Sequence, residues 1–136
     1  MLSESGIYAI RACEILAQLE DHPVVPTRQI SRELDLSNEY LVKILQKLKQ
    51  AGIIRSQKGA GGGVQLAMDA GDITLYQIIK AANPSFLDHL NPSEIEALKI
   101  KHENLYQLLD RQIGDIQQFI KTTTLKNFTD FRAGNQ

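Results

Sequence analysis

Between Tyr40 and Met68 every charged residue is a cation: Lys43, Lys47, Lys49, Arg55 and Lys58 stand there with no Asp or Glu among them. The chain as a whole is nearly balanced, with 15 Lys and Arg against 16 Asp and Glu. Positive charge concentrated in one segment of a neutral chain makes a surface for a polyanion, most often nucleic acid. Ser37, Asn38, Glu39 and Tyr40 open the same segment. Asn can bond adenine through a donor and an acceptor at once, and Glu can accept from cytosine N4. Lys43 lies one turn on, within reach of a base edge, and Lys47 one turn beyond suits a phosphate. Downstream, Lys58 adjoins Gly59, Gly61 and Gly62. Glycines there let backbone amides approach a partner closely.

Each residue type has a plainer reading as well. Glu39 near a helix start favours the helix dipole, Tyr40 can be a packed surface aromatic, and two lysines can be a solvated face. Their joint occurrence with Arg55 and Lys58, without acids, favours the functional reading.

These groups need elements to hold them. Ser3 can cap a first helix over roughly 4–20, ended by the stretch from His22 to Pro26. Thr27 reads as the cap of a second helix, Arg28 to Leu34, whose start offers Thr27 and Arg28 to a phosphate backbone. Ser37 caps a third helix to about Gln50, with Leu41, Ile44, Leu45 and Leu48 at spacings of three and four. Gly52 stops it. Two helices joined by a tight turn with an inward Leu36 form a helix-turn-helix pattern. A β-hairpin follows, its second arm alternating apolar and polar residues, with the glycine run at its tip. Thr74 and Gln77 signal a capping box for a fourth helix. Asn83 to Asn91 reads as a loop, and Ser93 with Glu96 as a second capping box opening a long amphipathic helix to about residue 121.

The segment from Ala51 to Gly59, Gly61-Gly62-Gly63, and Ile73-Thr74-Leu75 resemble the Rrf2 family of bacterial regulators, which includes IscR-like and CymR-like proteins. Tyr8-Ala9-Ile10-Arg11-Ala12 and Tyr40-Leu41 fit as well, and the likeness spans about residues 1–82. It implies a winged-helix homodimer on a near-palindromic operator, with long helices crossing to form the dimer. The chain departs from many relatives in carrying Val42 where they have an acidic residue, Lys58 where they have Arg, and Val64 where they have Tyr. The expected fold class is therefore mainly α with a small β-hairpin: a winged helix-turn-helix over 1–82, a loop over 83–92, and a long dimerisation helix with a tail over 93–136.

The expected partners are double-stranded DNA and a second copy of the chain; a small-molecule or protein effector is compatible with the sequence. The alternative is a protein-interaction module that keeps the fold without operator binding. Iron–sulfur members of the resembled family use three cysteines in the loop before the long helix, and this loop has none. The one cysteine, Cys13, sits at the margin of an apolar helix face. Cys13, His89 and His102 are the remaining candidate metal ligands, and none has the spacing of a metal motif. No cofactor is expected, an iron–sulfur cluster included. No phosphate-loop Gly-Lys-Ser/Thr follows the glycine run and no nucleophile–base set stands out, so an enzyme is not expected. Apolar runs broken by charge argue against a membrane span or a signal peptide, and the expected location is cytoplasmic.

Overall fold

The computed structural model describes residues 2–134. Ser3 closes the first turn of α1 (Glu4–Ala17), its Oγ accepting from the Gly6 amide at 3.2 Å. α1 stops three residues short of the expected end. Beyond it Asp21 and His22 adopt positive φ (63° and 45°), turning the chain back toward the core. α2 (Thr27–Leu34) begins on Pro26, with no side-chain cap, so Thr27 is a helical residue rather than the cap expected of it. Proline presets φ near the helical value and does without a hydroxyl there. Asp35 then takes a left-handed conformation (φ 54°, ψ 49°), which a short polar side chain tolerates. The Leu36 amide donates to the Ser31 carbonyl at 2.9 Å, and Leu36 packs on the core. α3 (Asn38–Gln50) starts on Ser37, whose Oγ accepts from the Tyr40 amide. Leu41, Ile44, Leu45 and Leu48 are its buried stripe, as expected, and Gly52 at φ 75° ends it.

β1 (Ile54–Gln57) pairs antiparallel with β2 (Gly63–Leu66), with Ile54 opposite Leu66 and Gln57 opposite Gly63. The strap before α2 adds a third piece: Val25 and Val64 exchange two backbone hydrogen bonds, of 2.8 and 2.9 Å. A side chain on Gly63 would fall on the Val25 carbonyl, so glycine is what lets the strap and hairpin pair. Val25, Ile30, Leu34, Ile53, Ile54 and Leu66 join the stripe of α3 and the inner face of α1 in one core.

α4 (Leu75–Ala82) carries the expected capping box: the Gln77 amide donates to Thr74 Oγ1, and the Thr74 amide donates to Gln77 Oε1 at 2.7 Å. After it the structure departs from the sequence reading. The stretch expected as a loop contains α5 (Pro84–His89), initiated by proline in its first turn. Ser93 does not open the long helix. It lies in a 3₁₀ turn, Pro92–Ile95, because Asn91 Oδ1 takes its amide at 3.1 Å. α6 (Leu98–Lys101) ends where His102 leaves helical geometry (φ −144°, ψ 69°), and α7 runs Glu103–Thr122.

α8 (Leu125–Gly134) has no counterpart in the sequence reading. The Leu75 amide donates to the Thr123 carbonyl and the Leu125 amide to Ile73, pinning the start of α8 beside α4. Leu125 is buried in the main core and α8 packs on α1. Full burial of a leucine is worth about 2 kcal/mol. The C-terminal segment thus returns to the winged unit instead of trailing from it. On α7, by contrast, only Ile120 is buried. Leu105, Leu108, Ile116 and Phe119 are exposed, Leu108 and Phe119 by 58% and 56%.

Candidate nucleic-acid interface

The buried stripe of α3 leaves its other face to solvent, and Asn38, Glu39, Val42, Lys43, Gln46 and Lys47 are all exposed there. Ser37 is likewise exposed, with its hydroxyl engaged in the cap. Tyr40 differs. It is half-buried with its ring edge-on to Tyr8, centroids 6.3 Å apart and planes at 88°. Such a contact contributes about 1 kcal/mol, so Tyr40 has a packing role between α1 and α3. Arg28 is exposed in the first turn of α2 and Thr27 half-buried beside it.

A cleft of about 180 Å³ separates α3 from the hairpin, and Thr27, Val42, Gln46, Lys49 and Ser56 line it. The structure therefore brings Thr27 of α2 and Lys49 of α3 to one cleft beside the hairpin. It adds Gln46 and Ser56, which sequence reasoning missed. Gln46 was legible in principle: it is polar, four residues from Val42, off the apolar stripe, and of a type that bonds adenine.

Strand alternation decides the position of Arg55. Ile54, Val64 and Leu66 face inward, whereas Arg55 and its cross-strand partner Gln65 take the opposite face, where Gln65 Nε2 donates to the His22 carbonyl at 2.8 Å. Arg55 is exposed, yet on the hairpin face turned away from the cleft. Lys58, Gly59 and Gly61 are exposed at the tip, and Gly59 and Gly61 have φ of 93° and 75°. Gly62 sits half-buried beneath them, its amide donating to the Gly59 carbonyl.

The candidate metal donors stand apart. Cys13 is buried in α1, and burial pushes its thiol up to about 12 from an ordinary 9.0. His89 is exposed at the end of α5 and His102 at the break before α7. Among the described residues no group of three or more His, Cys, Asp or Glu side chains could hold a metal ion.

The raised thiol pKa predicts a pH dependence. A group whose folded pKa lies above its unfolded value contributes full stability below the unfolded pKa and loses it as pH rises toward the folded one. Between pH 8 and pH 10.5 the thiol should therefore remove about 2 kcal/mol of folding stability. Denaturant unfolding at both pH values, compared with Cys13→Ala, checks this. A variant losing as much stability as the parent would contradict it.

A helix-turn-helix closed by a β-hairpin with a glycine tip defines a winged-helix protein. Residues 2–130 match the Rrf2 family, described as "Iron-dependent Transcriptional regulator", and the chain belongs to that family. It is 35% identical over 85 residues to the HTH-type transcriptional regulator IscR of Photobacterium profundum, covering 62% of this chain and 49% of that protein. Against IscR of Vibrio cholerae the identity is 34% over 84 residues, again 62% of this chain and 49% of the relative. The chain thus spans about half the length of the curated relatives it matches. Among solved structures it is similar to CymR of B. subtilis, "the Global Cysteine Regulator", with a TM-score of 0.82 at 24% identity over 96% of this chain and 97% of that one. IscR of T. potens has a TM-score of 0.75 at 26% identity, covering 100% of this chain and 90% of its own. These relatives are transcriptional regulators and not enzymes, and the expected family and fold class hold.

The family's description names iron, and the described residues do not fit an iron–sulfur cluster held by the cysteines of one chain. Iron–sulfur centres need several thiolates, while the single cysteine here is enclosed in the core with its thiolate disfavoured. No helix among the described residues is long and apolar enough to cross a membrane.

Proposed function

We propose that the chain is a sequence-specific DNA-binding regulator that acts as a homodimer on a near-palindromic operator. In this reading α3 enters the major groove with Asn38, Glu39 and Lys43 toward base edges. Lys47, Thr27 and Arg28 meet phosphates, and Lys58 at the glycine tip meets the backbone or adjacent minor groove. Arg55, on the hairpin face turned away from α3, contributes to the positive field around the duplex. The winged unit is residues 1–82, and α7 supplies the dimer contact in the segment after residue 92. Two-fold symmetry then sets half-sites about one helical turn apart. The observation that carries the reading is the solvent-facing cationic side of α3 beside an exposed glycine-tipped hairpin.

Salt tests it. With three or four phosphate contacts per subunit, log affinity against log salt should fall with a slope of about −5 to −7. Fluorescence anisotropy on DNA fragments selected by genomic footprinting measures that slope. A flat dependence would favour the alternative, a protein-interaction module, for which the exposed Val42 in the centre of the reading face is the supporting observation.

A further inference from the structure

Where the winged unit meets the C-terminal helices, α4, α5 and α7 leave an open cleft of about 240 Å³. Its apolar lining is Leu87, Leu90 and Ile120, and its charged lining is Asp88 on α5 and Lys121 on α7. The two walls are tied together, because Gln117 Nε2 on α7 donates to the Leu90 carbonyl at 2.7 Å. Lys121 does not stand alone. Its ammonium and that of Lys80 both lie by the Tyr76 ring, 5.9 and 5.8 Å from the centroid. Lys121 is the cation that lines the cleft, and Lys80, at the same ring but outside the lining, adds to the positive potential around Tyr76. The volume falls below the roughly 300–1,000 Å³ of sites for drug-sized ligands, so the occupant is small.

We propose that this cleft binds an amino-acid-sized zwitterion with an aliphatic tail. The carboxylate meets Lys121, the ammonium meets Asp88, and the tail lies on Leu87, Leu90 and Ile120. A simple carboxylate leaves Asp88 unused, and a simple amine leaves Lys121 unused; a zwitterion engages both. Asp88 and Lys121 are both solvent-exposed, so affinity is modest. An occupant spanning α5 and α7 stiffens the junction between the winged unit and the dimer helix. That regulatory consequence rests on the proposed DNA-binding function, whereas binding itself does not.

Titration calorimetry of the full chain without DNA tests the site, with L-leucine as the probe. Two half-probes accompany it: 4-methylpentanoate, which lacks the ammonium, and 3-methylbutylamine, which lacks the carboxylate. L-leucine should bind with a Kd in the micromolar to low-millimolar range, and each half-probe at least about tenfold more weakly. Lys121→Met and Asp88→Asn should each weaken L-leucine by about tenfold or more, with unchanged circular dichroism. Three outcomes overturn the proposal: no binding of L-leucine, L-isoleucine or L-methionine at millimolar concentration; a half-probe that binds as well as L-leucine; or affinity that survives both substitutions. Because DNA is absent, failure here leaves the salt-dependence test untouched, and failure of that test leaves this one untouched.

Discussion

Lys43→Glu combined with Lys58→Glu is expected to abolish DNA binding while leaving fold and dimer intact. Both side chains are exposed, one on α3 and one at the hairpin tip, so neither reversal disturbs the core. Each neutralised phosphate contributes roughly fivefold in affinity at physiological salt, so losing the two Lys58 contacts of a dimer costs about twenty-five-fold. Losing the two Lys43 base contacts, at roughly 1–3 kcal/mol each, costs about thirtyfold or more again before repulsion is counted. The salt slope should flatten in parallel. A control that changes net charge equally, Lys101→Glu with Lys126→Glu, reverses exposed cations on α6 and α8. It should weaken binding far less, since screening confines each charge to about 10 Å. Anisotropy titrations of the three proteins on one operator fragment decide the matter. Comparable losses in both double variants would reduce the effect to net charge, and retained binding in the first would contradict the assignment of the reading face.

The second large effect is expected on α7. Leu108 and Phe119 are more than half exposed and eleven residues apart, which is about three turns, so they share one side of the helix. Exposed apolar groups in register along a helix mark an interaction surface, and covering the exposed half of each is worth roughly 1–1.5 kcal/mol. Leu108→Glu with Phe119→Glu replaces that gain with the cost of burying charge. Sedimentation velocity at micromolar concentration should show a monomer with unchanged helicity. Operator affinity should fall by about a hundredfold or more, since two half-sites would no longer be bound by one tethered pair. A dimer that persists would place the interface away from this face.

Where a signal spans three or four residues, structure follows sequence closely. Ser37 with the Tyr40 amide, Thr74 with Gln77, Gly52 after α3 and the spacing of Leu41 to Leu48 all act within a single turn, and their hydrogen bonds need no distant partner. The likeness to a known family drew on that same region and anticipated the winged fold. α8 also had a local cue: Thr124 and Asn127 exchange hydrogen bonds in the manner of a cap, a pattern the sequence reading passed over.

One local cue was outcompeted by a nearer one: Asn91, two residues away, captures the Ser93 amide and displaces a capping box that the residues would permit. Other features were settled over long distances. Tyr40 meets a ring 32 positions earlier in the chain, and Gly63 matters because of a carbonyl on Val25. The cations stand on one segment of the sequence. The pleat of the hairpin then turned Arg55 to the face away from α3, and the packing of α2 on α3 brought Thr27 and Gln46 to one cleft.

The helix caps, the apolar spacing of α3 and the glycine stop after it were legible in the residues, because each acts within a turn or two of backbone, and the run of cations is written in the sequence directly. Which of those cations share a surface, where the long helix breaks and how α8 returns to pack on α1 came from the folded chain. Those outcomes depend on which apolar face finds which partner across the chain, a choice that no local pattern contains.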